Sequence, residues 1–181
     1  ILPGVSSKVT VLGNHCSKFI DSPYSRTGIL EGNPIHKDMI AASKMAHQKY
    51  IVNVIIDADK KVVHAVAGDA IEAHAAGCKF LQDYCQVVPK KAADIAISTN
   101  GGYPLDQNMY QSVKGMTAAE AAAKDDGILI MVSNCGDGHG GEGFYEALKN
   151  CSSPADLMAE ILKVPQDQTK PDQWEYQIQC R

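Results

Sequence analysis

The sequence predicts an α/β fold, a layered domain with a mostly central β-sheet covered by helices. Three observations carry this. Short β-branched apolar runs alternate with stretches of helical periodicity, and helix-start signals fall between them. The 181 residues are 45% hydrophobic, enough for one real core without covalent staples. They are predicted to form one domain, or at most one large domain with an excursion.

Taken in order, Val9–Leu12 is a β-branched run and is predicted to be a strand, ending at Gly13-Asn14-His15. A Gly/Pro/Ser-rich passage to Pro34 reads as a long loop. Asn33-Pro34 supplies an N-cap and a proline at the first helical position. The helix it opens carries Met39, Ile40, Met45 and Ala46 on one apolar face, with both methionines read as core. Tyr50–Ile56 is predicted to be a buried strand, Asp57–Lys61 a polar hairpin turn in which Asp57 and Asp59 are turn residues, and Val62–Ala67 the next strand. Asp69-x-x-Glu72 has capping-box spacing and opens a helix to about Cys85. Asp94–Ser98 is a strand stopping at Asn100-Gly-Gly. Thr117-x-x-Glu120 reads as a second capping box ahead of an alanine-rich helix. Ile128–Val132 is a strand, Ser153-Pro154 caps a helix through Leu157, Ile161 and Leu162, and Trp174–Cys180 is predicted to be a final strand.

A net charge of −4 with no Lys/Arg cluster beyond a pair argues against non-specific nucleic-acid binding. No apolar run approaches the ~20 residues of a membrane helix, so no membrane partner is expected. The six cysteines lack a Cys-x-x-Cys pair, which argues against a structural zinc site. They read as reduced, buried thiols of a cytoplasmic protein, with Cys78 and Cys85 on one inward helix face. The chain opens at Ile1-Leu-Pro-Gly and stops at Arg181. This reads as a piece of a longer protein, or else as a processed N-terminus.

Three places where elements end could carry chemistry. His15, after the first apolar run, could reach a metal or a substrate. Beyond Asn100-Gly-Gly, a helical turn would put Gln111 and Lys114 on one face, with Tyr110 beside them. A lysine with a side-chain amide makes a carboxylate clamp, although an ordinary amphipathic helix would look the same. Ser133–Gly143 is glycine-rich but is neither a P-loop nor a dinucleotide fingerprint. His139 and Glu142 could ligate a metal there, but the glycine density favours a plain loop. His36, His47, His64 and His74 read as structural or surface residues.

The order of motifs is more specific than any one of them. Leu2-Pro-Gly, Gly13-Asn-His15, Glu31-Gly-Asn-Pro-Ile-His36 and Ala67-Gly-Asp69 come first. Asn100-Gly-Gly-x-Pro-x-Asp106, Tyr110-Gln-x-x-Lys114 and Asp172-Gln-Trp174 follow. Over essentially its whole length the sequence resembles the C-terminal half of the nickel-dependent lactate racemase family, which includes related 2-hydroxy-acid racemases and epimerases.

The resemblance implies a two-domain α/β enzyme whose C-terminal domain spans residues 1–181 and whose N-terminal domain lies outside this chain. It implies a nickel-pincer nucleotide cofactor, held covalently by a lysine just upstream of Ile1. His15 matches the family's nickel ligand and cofactor contact. Tyr110, Gln111, Lys114 and Trp174 match positions lining the substrate pocket, with Trp174 also against the cofactor. The paired catalytic histidines belong to the missing half, so none is expected here and the chain alone should be inactive. The implied substrate is a small 2-hydroxy acid such as lactate. The alternatives are another hydroxy or sugar acid, or a non-catalytic binding or assembly domain of the same fold.

Overall fold

The computed structural model describes residues 1–181. The first half of the chain forms α1 (Lys8–Asn14), α2 (Ser17–Asp21), α3 (Pro34–Met45), β1 (Ile51–Ile56), β2 (Val62–Gly68) and α4 (Ala70–Cys85). The second half forms β3 (Ala93–Thr99), α5 (Met109–Glu120), β4 (Ala123–Val132), α6 (Glu142–Asn150), α7 (Pro154–Ile161), a 3-10 turn (Gln166–Gln168) and α8 (Gln173–Cys180). These elements make two compact units: Ile1–Ser6 with His36–Val88, and Ser7–Ile35 with Pro89–Arg181. The fold is α/β, as the alternation of patterns predicts, and its strands form two separate two-stranded sheets.

In the first unit β1 and β2 make an antiparallel hairpin, from Ile51 opposite Gly68 to Ile55 opposite His64. Asp57 closes the turn by accepting hydrogen bonds at Oδ1 from the N–H groups of Asp59 and Lys61. Helix α4 starts where its cap predicts, with the Asp69 carboxylate accepting from the N–H groups of Ile71 and Glu72. It lies on one sheet face, where His64 stacks on Phe80 with ring centroids 3.9 Å apart. Gly77 lets the helix approach closely, since a Cβ there would sit 3.3 Å from Val66 Cγ2. Val52, Val54 and Val63 on the other face are exposed.

In the second unit β3 and β4 run parallel, in register from Ile95–Ile128 to Thr99–Val132. Helix α5 covers one face so closely that a Cβ on Gly115 would meet Met131 Cε at 2.6 Å. The opposite face presents Ile95, Ile97, Ile128, Ile130 and Val132 to solvent. Parallel sheets are ordinarily covered on both faces. The core of this unit is Val113, Phe144, Leu157, Ile161 and Tyr176, drawn from α5, α6, α7 and α8. Arg181 grips Glu120 with two hydrogen bonds, of 2.9 and 2.7 Å. Gln177 donates to the Ser17 carbonyl, which ties α8 to α2.

Several expectations are corrected. Val9–Leu12 lies in a helix, because the Ser7 hydroxyl caps it by accepting from the Thr10 N–H. Trp174–Cys180 is also helical: Glu175, Tyr176 and Gln177 are all buried, and three successive inward residues do not fit a strand's alternation. Thr117 does not open a helix. Its hydroxyl donates back to the Lys114 carbonyl inside α5, and the alanine stretch that follows runs into β4. The supposed loop between His15 and Pro34 contains α2. Met45 is exposed at the end of α3, and the strand expected to be buried, Tyr50–Ile56, leaves Val52, Val54 and Ile56 open. All six cysteines are free, but only Cys16 is buried and Cys85 is exposed. No helix is long and apolar enough to cross a membrane.

Candidate functional site

His15 stands at the junction of α1 and α2, as the C-cap of the first. Its backbone is fixed by the bond from its N–H to the Val11 carbonyl, and the preceding turn by Gln166, whose amide donates to the Gly13 carbonyl. The ring is fixed as well, because Nδ1 lies 3.1 Å from the same Val11 carbonyl. A carbonyl only accepts, so Nδ1 carries the hydrogen and Nε2 keeps its lone pair. Burial lowers the pKa of His15 and so favours the neutral ring, outweighing the bond to Val11, which raises it.

An aromatic wall adjoins it. The His15 and Trp174 rings meet edge to face at 5.4 Å, Trp174 meets Tyr110 at 6.2 Å, and Tyr110 meets Phe144 at 6.0 Å. Tyr110 is pushed up to about 12, first by burial and then by the nearby carboxyl groups of Glu175 and Asp172, so it stays a phenol. One turn further along α5, Lys114 Nζ donates to Gln111 Oε1 at 2.6 Å. The pairing that the three-residue spacing predicts is therefore formed, and the Lys114 head is exposed.

The loops at the strand ends hold this arrangement. Asn108 caps α5 by accepting from the Gln111 N–H. The Asn100 amide donates to the carbonyls of Leu105 and Gln111, tying the end of β3 to the same helix. The glycine-rich loop is zipped onto the start of α5, where Met109 and Tyr110 N–H groups donate to the carbonyls of Gly138 and His139. Its glycines are there for closeness: a Cβ on Gly140 would lie 2.6 Å from Asn108 Cγ, and one on Gly141 would lie 2.8 Å from Asp172 Oδ2. His139 stacks on Tyr145 at 4.4 Å, and no group of three or more potential ligands gathers there or elsewhere in the chain.

Two residues were not among the site candidates read from the sequence, although Asp172 opens the Asp172-Gln-Trp174 motif. Asp172 begins α8 in the left-handed conformation, with φ of 64°. Glu175 has 0% exposure, and neither of its carboxyl oxygens finds a hydrogen-bond partner. Burial pushes it up to about 8, against the pull of Lys114 and with a smaller push from Asp172. The only sequence signal for either was the Asp-Gln-Trp-Glu run itself.

A neutral imidazole with a free lone pair, an aromatic wall and an amide-lysine pair stand on one α/β unit. The comparisons are more particular. Residues 88–181 match the lactate racemase C-terminal domain, and the chain belongs to that family. All 181 residues align at 56% identity with the lactate racemase of Thermoanaerobacterium thermosaccharolyticum and at 50% with that of Lactiplantibacillus plantarum. The chain spans 42% of the length of each relative. Its structure superposes over its full length on that of the T. thermosaccharolyticum lactate racemase apoprotein, with a TM-score of 0.95 and 56% identity, and covers 43% of that chain.

Proposed function

We propose that this chain is the C-terminal portion of a racemase that interconverts the stereoisomers of lactate or a closely similar 2-hydroxy acid. The reaction is read as reversible hydride transfer to a nickel-pincer nucleotide. The observation that carries the reading is the state of His15, whose Nδ1 is committed to Val11, whose Nε2 is available and whose ring is held against Trp174. His15 would hold the nickel of such a cofactor through Nε2, since a neutral imidazole with a free lone pair suits that metal. The identities of 56% and 50% to two lactate racemases support the same substrate class.

The chemistry is consistent with these residues. The α-hydrogen of a 2-hydroxy carboxylate is a poor acid, because removing it as a proton would place a second negative charge beside the first. When bound, the nucleotide supplies a hydride acceptor that avoids this dianion. Lys114 neutralises the substrate carboxylate and Gln111 orients it. Tyr110, kept protonated, donates a hydrogen bond and does not act as a base. Trp174 packs over the reacting centre and excludes water. The base for the hydroxyl proton and the lysine that anchors the nucleotide are assigned to the N-terminal portion of the protein. The two bare apolar sheet faces support such a partner. The six free thiols accord with a reducing, cytoplasmic setting, which belongs to the same proposal.

The test is to add D- or L-lactate to the cofactor-loaded full-length protein and follow optical rotation. Decay to zero rotation from either isomer is expected. Rotation that stays constant with lactate would overturn the substrate assignment, and constancy across a panel of 2-hydroxy acids would overturn the racemase reading itself.

A further inference from the structure

The Asn100 side chain joins β3 to the helix that carries Gln111 and Lys114. It leaves the strand just after Thr99, which pairs with Val132 of β4 and whose hydroxyl accepts from the Gly101 N–H. Its Nδ2 lies 2.7 Å from the Leu105 carbonyl and 2.6 Å from the Gln111 carbonyl. Carbonyl oxygens only accept, so the nitrogen must face them and both of its hydrogens are committed. The amide oxygen lies against α5 at Gly115, where a Cβ would come within 2.5 Å of it. A side chain at position 115 would therefore expel Asn100, and the bare glycine admits it. This arrangement is not a helix cap. Asn108 is the cap, accepting from the Gln111 N–H at 2.9 Å. Asn100 comes from another element and takes the carbonyl of the same residue, inside α5, where the helix ladder supplies a donor of its own. Gln111 is thus gripped at both backbone polar atoms by asparagine side chains, and its side-chain oxygen receives the Lys114 ammonium at 2.6 Å. A helix carbonyl needs no second donor to be satisfied, so what the extra bond fixes is position.

We infer that Asn100 is a positioning residue for the Gln111–Lys114 pair, tethering the helix turn that carries it to the end of β3. This rests on the racemase reading for the identity of what the pair binds. The two members respond differently to loss of the tether. Lys114 is a point charge on a flexible stem and follows a carboxylate, whereas the Gln111 amide is directional and works only where its turn is placed. Without Asn100 the substrate is still held by charge, but its reacting carbon is misaimed. A misplacement of about 1 Å can cost about a hundredfold in rate. The tether therefore acts on kcat and leaves KM nearly alone.

Two arms test this on the full-length protein. Asn100 is only half-buried, so Asn100→Ala removes the tether and leaves the fold intact. The first arm needs no turnover: hydrogen exchange is compared in wild type and Asn100→Ala. The amides of residues 112–115 should exchange about tenfold faster or more in the variant, with those of α4 unchanged. Unchanged exchange in α5 would overturn the tether, and equal acceleration throughout the fold would reduce it to plain destabilisation. The second arm uses lactate on the cofactor-loaded enzyme. Asn100→Ala should lower kcat by about ten- to a hundredfold while KM stays within about threefold. An unchanged kcat, or a rise in KM alone, would overturn the positioning role. In a Gln111→Ala background the same substitution should add less than about threefold, because the tether then has no directional group to aim. Losses that multiply would overturn the route through Gln111. A protein that never racemises lactate fails the functional reading, while the exchange arm still decides the tether.

Discussion

Glu175→Gln should flatten the pH dependence of folding stability in the unit that contains α8. The carboxyl group is held at about 8 in the folded chain against 4.5 when unperturbed. Between these values the folded state keeps a proton that the unfolded state has released. Folding therefore takes up a proton, and stability falls as the pH rises through that window. Each pH unit is worth about 1.4 kcal/mol, so the ceiling over the whole interval is about 5 kcal/mol, of which roughly 3 is lost by pH 7. Glutamine has nothing to titrate. Its amide leaves buried donors to satisfy, which costs about 1–3 kcal/mol at every pH, so the diagnostic quantity is the slope and not the offset. Urea unfolding at pH 5, 6, 7 and 8, followed by the fluorescence of Trp174, the only tryptophan, measures it beside the substituted residue. Wild type should lose stability steadily over this series while the variant holds level. Two parallel curves would refute the reasoning and place the ionised carboxylate in a solvated setting.

Further outcomes follow from other residues. Lys114→Ala in the full-length enzyme should lower kcat/KM for lactate at least about tenfold, since a charged hydrogen bond of about 1.5–3 kcal/mol is lost; a surface lysine would change almost nothing. Gly140→Ala combines a φ of 85° with a clash at the Asn108 cap and should cost about 2–4 kcal/mol. Gly138→Ala, at a φ of 69° with open space around it, should cost only the backbone strain of about 1–2 kcal/mol; equal losses in thermal melts would argue against the close packing of this loop. Residues 1–181 alone should fold, leave the rotation of lactate unchanged even with nickel and authentic cofactor, and bind a hydrophobic dye through the exposed Ile95, Ile97, Ile128 and Ile130 face. Turnover by this chain would contradict the assignment of the base to the N-terminal portion.

Elements were legible where a local signal and the tertiary outcome agree. The Asp69 cap, the Asn33-Pro34 and Ser153-Pro154 starts and the Asp57 turn each work through hydrogen bonds within a few residues, so their sequence patterns suffice. The failures lie where packing overrides pattern. Trp174, Tyr176 and Ile178 alternate as in a strand, yet α8 buries Gln173, Glu175 and Gln177 together with Tyr176, so the alternation of apolar and polar residues does not mark its inner face. Val9 and Val11 are β-branched, but the Ser7 cap decides for helix. Of the candidate site, Gln111 and Lys114 could be paired from their spacing alone. The approach of His15 to Trp174 could not, because it spans nearly the whole chain and depends on how the α1–α2 junction meets α8. Glu175 stayed hidden because a carboxylate in a Trp-Glu-Tyr run looks like a solvated surface residue until its burial is known.

His15 is proposed as the metal-binding imidazole this chain contributes to a lactate-racemising enzyme. Purified, cofactor-loaded full-length protein should therefore be compared with its His15→Ala variant for the ratio of nickel to protein. The wild-type ratio should approach one, and the variant should lose nickel on gel filtration and no longer racemise lactate. A variant that retains both its nickel and its activity would contradict the assignment of His15.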